Sequence, residues 1–198
     1  MIAGKYRGKK LIAPQGRDVR PTSDKVKEAV FSMVASLISP LNGDAPFAGK
    51  SCLDLFAGTG ALGIEALSRG ADSCVFVESS APAAETLDKN IASATRGAGA
   101  RVVRSDWRVA LRRLKSRDGV DVAFADPPYE AGYYDEVMKT LLDYGIISDG
   151  GIVVLERAAP GKGPAARRAD AKRYEGFALI REKRYGKTLI DVYERTDQ

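Results

Sequence analysis

The sequence predicts an α/β fold around a parallel, doubly wound sheet. Three observations carry this: five short strand-like runs alternate with helical patterns, a glycine-rich turn follows the first run, and two further β-like runs close the chain. A basic extension comes first. It leads into a helix with apolar residues at Val26, Ala29, Val30, Met33, Val34, Leu37 and Ile38, the i, i+3, i+4, i+7 spacing of one buried face. Thr22 or Ser23 can cap its start and Pro40 ends it. A connection bearing Gly and Pro, 39–49, then opens the alternating part, so residues 1–49 are expected to form an extension packed on a main domain, 50–198. Strands are expected at 52–56, 74–78, 101–104, 120–125 and 152–156, with helices near 61–69, 82–95, 108–116 and 134–143. The closing runs, 177–183 and 188–193, are separated only by Arg184-Tyr185-Gly186-Lys187, too short for a helical crossover, which predicts an antiparallel hairpin. Residues 158–172, rich in Ala, Gly, Pro and Arg/Lys, read as a mobile surface loop, and no internal repeat is visible.

Composition narrows the class of protein. With 198 residues and 44% hydrophobic content the chain fits one globular domain with a full core. No stretch approaches the roughly 20 apolar residues that span a bilayer, and the N-terminal residues lack an apolar signal region, so no membrane partner is expected and a cytoplasmic location is the default. Cys52 and Cys74 fall inside expected strands and read as reduced core residues. Histidine is absent, which excludes Ser-His-Asp triads, histidine general bases and ordinary histidine-ligated zinc; no metal is expected. Charge is uneven. Residues 1–27 carry eight Lys/Arg against two acids and residues 157–187 ten against three, whereas 28–156 carry twelve against eighteen. Two basic segments flanking an acidic middle suit a polyanion such as nucleic acid, the plain alternative being a solvated basic surface.

Asp126-Pro127-Pro128-Tyr129 follows the apolar run Val120–Ala125 directly. Neither proline can donate to a sheet ladder and each fixes its own φ, so the strand must stop in a rigid platform. The platform offers a carboxylate at Asp126, a carbonyl at Pro127 and an aromatic face at Tyr129, the parts needed to handle a planar exocyclic amine. Such an amine is a poor nucleophile because its lone pair is delocalised into the ring, and two preplaced acceptors draw it out of planarity. Tyr129 would stack on a base that has left its helix. An isolated tetrapeptide of this kind can also be only a tight turn.

At the first strand-to-helix turn, Gly58, Gly60 and Gly63 match a dinucleotide fingerprint. Glu78, at the end of the second strand, can hold both hydroxyls of a ribose, which suits either NAD or S-adenosylmethionine. Asp54 separates the two: an acid at the mouth of the first strand repels a pyrophosphate but suits a ligand end that carries an ammonium and a methylsulfonium. Asp106 could accept from an adenine amino group with Trp107 as a wall, or simply cap the next helix.

Asp54-Leu55-Phe56-Ala57-Gly58-Thr59-Gly60 together with Asp126-Pro127-Pro128-Tyr129 resembles the S-adenosylmethionine-dependent amino-methyltransferases. With Gly4 to Leu11, Arg20 to Glu28, Ala61 to Ala71 and Tyr185 to Thr188 added, the chain is similar to the RsmD family over nearly its whole length. The resemblance implies a Rossmann-like class I methyltransferase with a seven-stranded, mostly parallel sheet whose last strand is antiparallel. It implies methylation of N2 of one guanine in 16S ribosomal RNA, in the P-site region, on assembled or partly assembled 30S particles. By motif, Asp54, Phe56, Ala57, Gly58, Thr59 and Gly60 would hold the methionine end of S-adenosylmethionine, Glu78 and Ser79 its ribose, and Asp106 and Trp107 its adenine. Asp126, Pro127 and Tyr129 would receive the guanine amine for direct methyl transfer, with Pro128 against the substrate. Arg7, Lys9, Lys10, Arg20, Thr22 and Lys25 are the candidates for RNA contact. The stretch 158–172 departs most from the family pattern. Other readings are a DNA adenine-N6 methylase, which would need a target-recognition domain, an NAD-dependent oxidoreductase, and a non-catalytic RNA-binding or assembly protein.

Overall fold

A computed structural model describes residues 1–13, 24–38, 45–115, 119–128, 132–159 and 173–196. The elements in chain order are α1 (Asp24–Ile38), β1 (Ser51–Leu55), α2 (Ala61–Ser68), β2 (Ser73–Glu78), α3 (Ala81–Thr95), β3 (Ala100–Arg104), α4 (Trp107–Leu114), β4 (Val120–Ala125), α5 (Tyr134–Asp143), β5 (Ile147–Ala158), β6 (Phe177–Tyr185) and β7 (Thr188–Arg195). One seven-stranded sheet runs in the order β3-β2-β1-β4-β5-β7-β6. Strands β1 to β5 pair in parallel, and β7 is antiparallel to both of its neighbours, so the last strand alone runs against the rest.

The central strands are buried on both faces, which is why β4 reads as the near-continuous run Val120-Asp121-Val122-Ala123-Phe124-Ala125. On one face Phe76 and Phe124 pack with Phe31 of α1, Ile64 of α2 and Leu87 of α3. On the other, Leu53, Leu55 and Val153 pack with Leu111 of α4 and Met138 and Leu141 of α5. Both crossovers on the β1-β2-β3 side therefore lie on one face, and those leading to β4 and β5 lie on the other. The winding reverses between β1 and β4. Cys52 and Cys74 are buried free thiols. No helix among the described residues is long and apolar enough to cross a membrane.

Several boundaries differ from the sequence reading. The buried stripe of α1 is Val26, Val30, Phe31 and Val34, with Ala29, Met33, Leu37 and Ile38 only half-buried. Phe31 anchors the stripe by stacking at 5.5 Å on Phe47 and 5.4 Å on Phe124, ring contacts that lie beyond the helix's own period. Strand β5 begins at Ile147 rather than 152: Val120 pairs Ile147 and Val122 pairs Ile152, so the polar Ser148-Asp149-Gly150-Gly151 segment loops out as a bulge instead of ending the strand. Helix α4 starts one residue earlier, at Trp107, because Asp106 is its cap. The hairpin turn contracts to Gly186-Lys187, since Arg184 and Tyr185 still pair with Leu189 and Thr188. The expected loop, 158–172, starts too early, because Ala158 still pairs with Thr188 as the last residue of β5; residues 160–172, like the expected caps Thr22, Ser23 and Pro40, lie outside the described residues.

Residues 1–13 form a strap across the backs of α2 and α3. The amides of Ile2 and Ala3 donate to the buried Glu65 carboxylate at 2.8 and 3.0 Å. Lys5 N–H donates to the Ser68 carbonyl and Tyr6 N–H to the Ser68 hydroxyl. The Lys9 ammonium donates to the Ser93 and Ala94 carbonyls at the end of α3. Because α2 and α3 return antiparallel to the strands, these contacts lie at the N-terminal end of the sheet.

Candidate active site at the winding reversal

An open α/β sheet binds its ligands outside the carboxyl ends of the strands where the winding reverses, here between β1 and β4. Leu55 pairs with Ala125 across that junction, so the next residues, Phe56 and Asp126, leave the sheet side by side. The glycine turn and the Asp-Pro-Pro platform thus face one crevice.

The turn after β1 is held by the neighbouring strand. Ala57 N–H donates to the Val77 carbonyl at 2.9 Å, and Gly58 N–H to Glu78 Oε2 at 2.7 Å. Glu78 Oε1 accepts from Ser80 N–H at 2.7 Å, so one carboxylate ties the β1–α2 turn to the β2–α3 turn. Ser79 lies exposed between them. Phe56 takes φ 70°, a left-handed conformation costly for a residue with a Cβ. The three fingerprint glycines divide their work. A Cβ on Gly60 would meet Leu87 at 2.4 Å and one on Gly63 would meet the Phe76 ring at 2.3 Å, whereas one on Gly58 meets nothing within 4 Å. The first two serve close packing, and the third faces open space, the kind of cradle in which a ligand can approach the backbone.

Asp54 lies deeper than the mouth of its strand. It is 3% exposed and accepts from Gly63 N–H, in the first turn of α2, at 2.8 Å. Burial pushes its carboxyl up to about 7; the Gly63 bond pulls it down and the Glu78 charge adds to the rise. Asp106 caps α4, its Oδ1 accepting from Arg108 N–H at 2.8 Å. Trp107 is buried, stacks at 6.0 Å on Phe56, and leaves its indole N–H without a partner among the described residues. That orphaned donor and the open Gly58 fit a planar, hydrogen-bonding ligand in the crevice.

Asp126 is half-buried and Pro127 buried, with Pro128 exposed beyond them. Burial pushes the Asp126 carboxyl up to about 8, and the Glu156 and Asp54 charges push the same way. No hydrogen-bond donor among the described residues reaches it. Tyr129 lies outside the described residues, as do Arg20 and Thr22.

The structure brings Asp54, Phe56–Gly60, Glu78, Asp106, Trp107, Asp126 and Pro127 to one end of the sheet, but not Arg7, Lys9 and Lys10, which belong to the strap at the other end. Lys25 is different. The end of α1, Leu37 and Ile38, lines a cavity with Lys50 and Asp121 at the start of β1 and β4, so the first turn of this helix, with the exposed Lys25, points toward the crevice end. Three residues escaped the sequence reading. Arg108 stacks its guanidinium at 4.5 Å on Trp107 and 4.7 Å on Tyr133 while holding Glu136 with two hydrogen bonds, joining α4 to α5 beside the platform. Glu156, buried on β5, raises the charge density at Asp126. Asn90 is buried in α3, and its only sequence signal is a polar residue on the stripe Ala84, Leu87, Ile91, Ala94.

Comparison with known proteins agrees along the whole chain. A family model described as "Conserved hypothetical protein 95" matches residues 1–194. YlbH of Bacillus subtilis is 32% identical over 196 residues, 98% of each chain. Ribosomal RNA small subunit methyltransferase D of Escherichia coli K12 is 32% identical over 198 residues, covering 100% of this chain and 90% of that protein. The solved structure of yhhF from Escherichia coli superposes with a TM-score of 0.79 at 32% identity, covering 100% of this chain and 98% of that one. The crevice therefore sits in a Rossmann-like class I methyltransferase fold, and the chain belongs to the RsmD family, that of ribosomal RNA small subunit methyltransferase D.

Proposed function

We propose that this protein is an S-adenosylmethionine-dependent methyltransferase acting on ribosomal RNA, and that its target is the N2 amine of a guanine in 16S rRNA, in the P-site region of the small subunit. The observation that carries the reading is the position of Asp126: one residue past the Leu55–Ala125 pair, across the crevice from the open Gly58. S-adenosylmethionine would supply a methyl group on a sulfonium, transferred in line to the amine nitrogen as the carbon–sulfur bond breaks. Phe56–Gly60 would hold its methionine end, Glu78 and Ser79 its ribose, Asp106 and the Trp107 indole its adenine.

The protein's own part is acceptance and positioning. Asp126 and the Pro127 carbonyl accept from the two N–H bonds of the amine, and the nitrogen's extra proton passes to the Asp126 carboxylate as the new N–C bond forms. A carboxyl pushed up to about 8 by burial is, once ionised, a stronger base than an exposed aspartate. No covalent enzyme intermediate is required, and most of the rate gain comes from holding the reactants together. Residues 1–49 are then a basic extension and helix packed on the catalytic domain 50–198. The small subunit or its assembly intermediate is the partner, in the cytoplasm.

Tritiated S-adenosylmethionine offered to small subunits, free rRNA and DNA tests this, with mass spectrometry of the labelled nucleotide. Label on small-subunit RNA at guanine N2 is expected. Label on DNA alone overturns the reading, label at another rRNA base overturns the guanine assignment, and none on any substrate leaves a binding protein.

A further inference from the structure

Asn90 is 1% exposed, and its amide makes three hydrogen bonds, none to its own helix. Oδ1 accepts from Ile12 N–H at 2.7 Å, while Nδ2 donates to the Ile12 carbonyl at 3.1 Å and to the Thr59 carbonyl at 2.9 Å. Ile12 is near the end of the described strap, and Thr59 lies between Gly58 and Gly60. A single buried side chain thus pairs with the strap as a strand neighbour would and holds the glycine turn with its remaining hydrogen. An amide group so placed has few alternatives: losing either partner leaves buried donors or acceptors unmet.

We infer that Asn90 is a positioning residue that couples the seating of the N-terminal strap to the shape of the glycine turn, so that loosening the strap weakens cofactor binding. The inference rests on the reading of that turn as the cofactor site. The strap's other anchors, at Glu65, Ser68 and the end of α3, are at the opposite end of the sheet, so Asn90 is the point where strap and crevice meet. Coupling of this kind is reciprocal: whatever steadies the strap tightens the cofactor, and the cofactor steadies the strap by the same factor.

Two variants of the full chain test it. Asn90→Ala removes all three bonds. Ile12→Pro removes one N–H from a residue that is 49% exposed, and among the described residues its hydrogen bonds lead to the glycine turn through Asn90. The ligand-free readout is hydrogen exchange of the 56–62 segment, and the binding readout is calorimetry with S-adenosylhomocysteine. Both variants should speed exchange across 56–62 and weaken S-adenosylhomocysteine about fivefold or more. The double variant should be no weaker than the worse single one, since both cut the same link. Unchanged exchange and affinity in a folded Ile12→Pro protein overturns the inference, as does a lowered melting temperature with both readouts unmoved. If Asn90→Ala does not fold, Ile12→Pro decides alone. If the unaltered chain binds no S-adenosylhomocysteine, the functional reading fails, and the exchange data still decide the coupling.

Discussion

The two sides of the crevice use their carboxylates in opposite ways. On the β1–β2–β3 side, Asp54 meets Gly63 N–H, Glu78 meets the amides of Gly58 and Ser80, and Asp106 meets Arg108 N–H. On the β4–β5 side, Asp126 faces the charges of Glu156 and Asp54 and no donor among the described residues. The first arrangement makes acids into internal ties that hold turns in a ligand-ready shape. The second holds an acid in reserve, with its lone pairs free for an incoming amine. Changes on the first side should therefore act on binding and stability, and changes on the second on turnover.

The sharpest way to break that contrast is Asp126→Ala. Removing one preplaced charge-stabilising group costs roughly 10²–10³ in turnover in other enzymes, and a loss of that order is expected here. Affinity for S-adenosylhomocysteine should stay within about threefold, since no tie on the cofactor side is cut. The carboxylate is the accepting form, so turnover of the unaltered enzyme should rise with pH through about 8, and single-turnover methylation across pH 6 to 9 measures it. An Asp126→Ala enzyme with normal turnover removes the reserved acid from the mechanism.

Glu78→Ala is the converse experiment. It frees two turn amides, each bonded to a Glu78 carboxyl oxygen at 2.7 Å, and a tenfold to hundredfold weaker S-adenosylhomocysteine affinity is expected by calorimetry. Turnover at saturating cofactor should change far less. Equal losses in both quantities would show that the two sides are not separable.

Much of this division was legible beforehand, and the illegible remainder has a common cause. The alternation of strands and helices in a doubly wound sheet, the closing hairpin and the placement of Asp126 after β4 follow from local signals: alternation of runs, glycine spacing and prolines that end a strand. Phe31, Asn90 and the two-sided role of Glu78 depend on partners far away in sequence, such as Ile12 with Asn90, and periodicity carries no record of them. The position of Asp54 was readable from its strand, but its depth was not, because depth is set by how closely α2 crosses at Gly63. The strap was legible only as charge. Its backbone contacts to Glu65 and Ser68 depend on the folded helix ends, which no charge count reveals.

Asp54 lies on the tied side yet shares the raised carboxyl of the reserved side, and stability against pH separates these two properties. Its folded value, about 7, lies above its ordinary 3.8. A raised acid binds its proton more tightly in the folded state, so its contribution is complete below about pH 4 and is lost as pH rises through about 7. Asp54→Asn keeps an oxygen for Gly63 N–H and removes the titration. Its melting temperature should vary less between pH 4 and 8 than that of the unaltered protein, and at pH 8 it should lie higher by on the order of 10 °C. Thermal unfolding across that range is the measurement. Parallel curves for the two proteins would mean that Asp54 is ionised in the fold at no cost.

The same distinction between engaged and reserved charge sorts the basic residues of the strap, with the smallest expected effects. The Lys9 ammonium donates to two carbonyls at the C-terminal end of α3, where the helix dipole favours a cation. Lys9→Ala should lower the melting temperature by a few degrees and leave the salt dependence of RNA binding unchanged, because an ammonium already engaged has little to offer a phosphate. Arg7 and Lys10 are exposed, with no ion-pair partner among the described residues. Replacing both by Ala should leave melting unchanged and, if the strap meets RNA, reduce the slope of log affinity against log salt by about 0.7 per lost contact. Lys25, on the first turn of α1 at the crevice end, supplies the control. A slope that responds to Lys25→Ala and ignores the Arg7/Lys10 pair would place the RNA track along the crevice end of the sheet and reduce the strap to a brace for α2, α3 and the glycine turn. A response from both would mean that the RNA spans the molecule from the strap to the platform, so that its own grip on the strap would bear on the cofactor through Asn90.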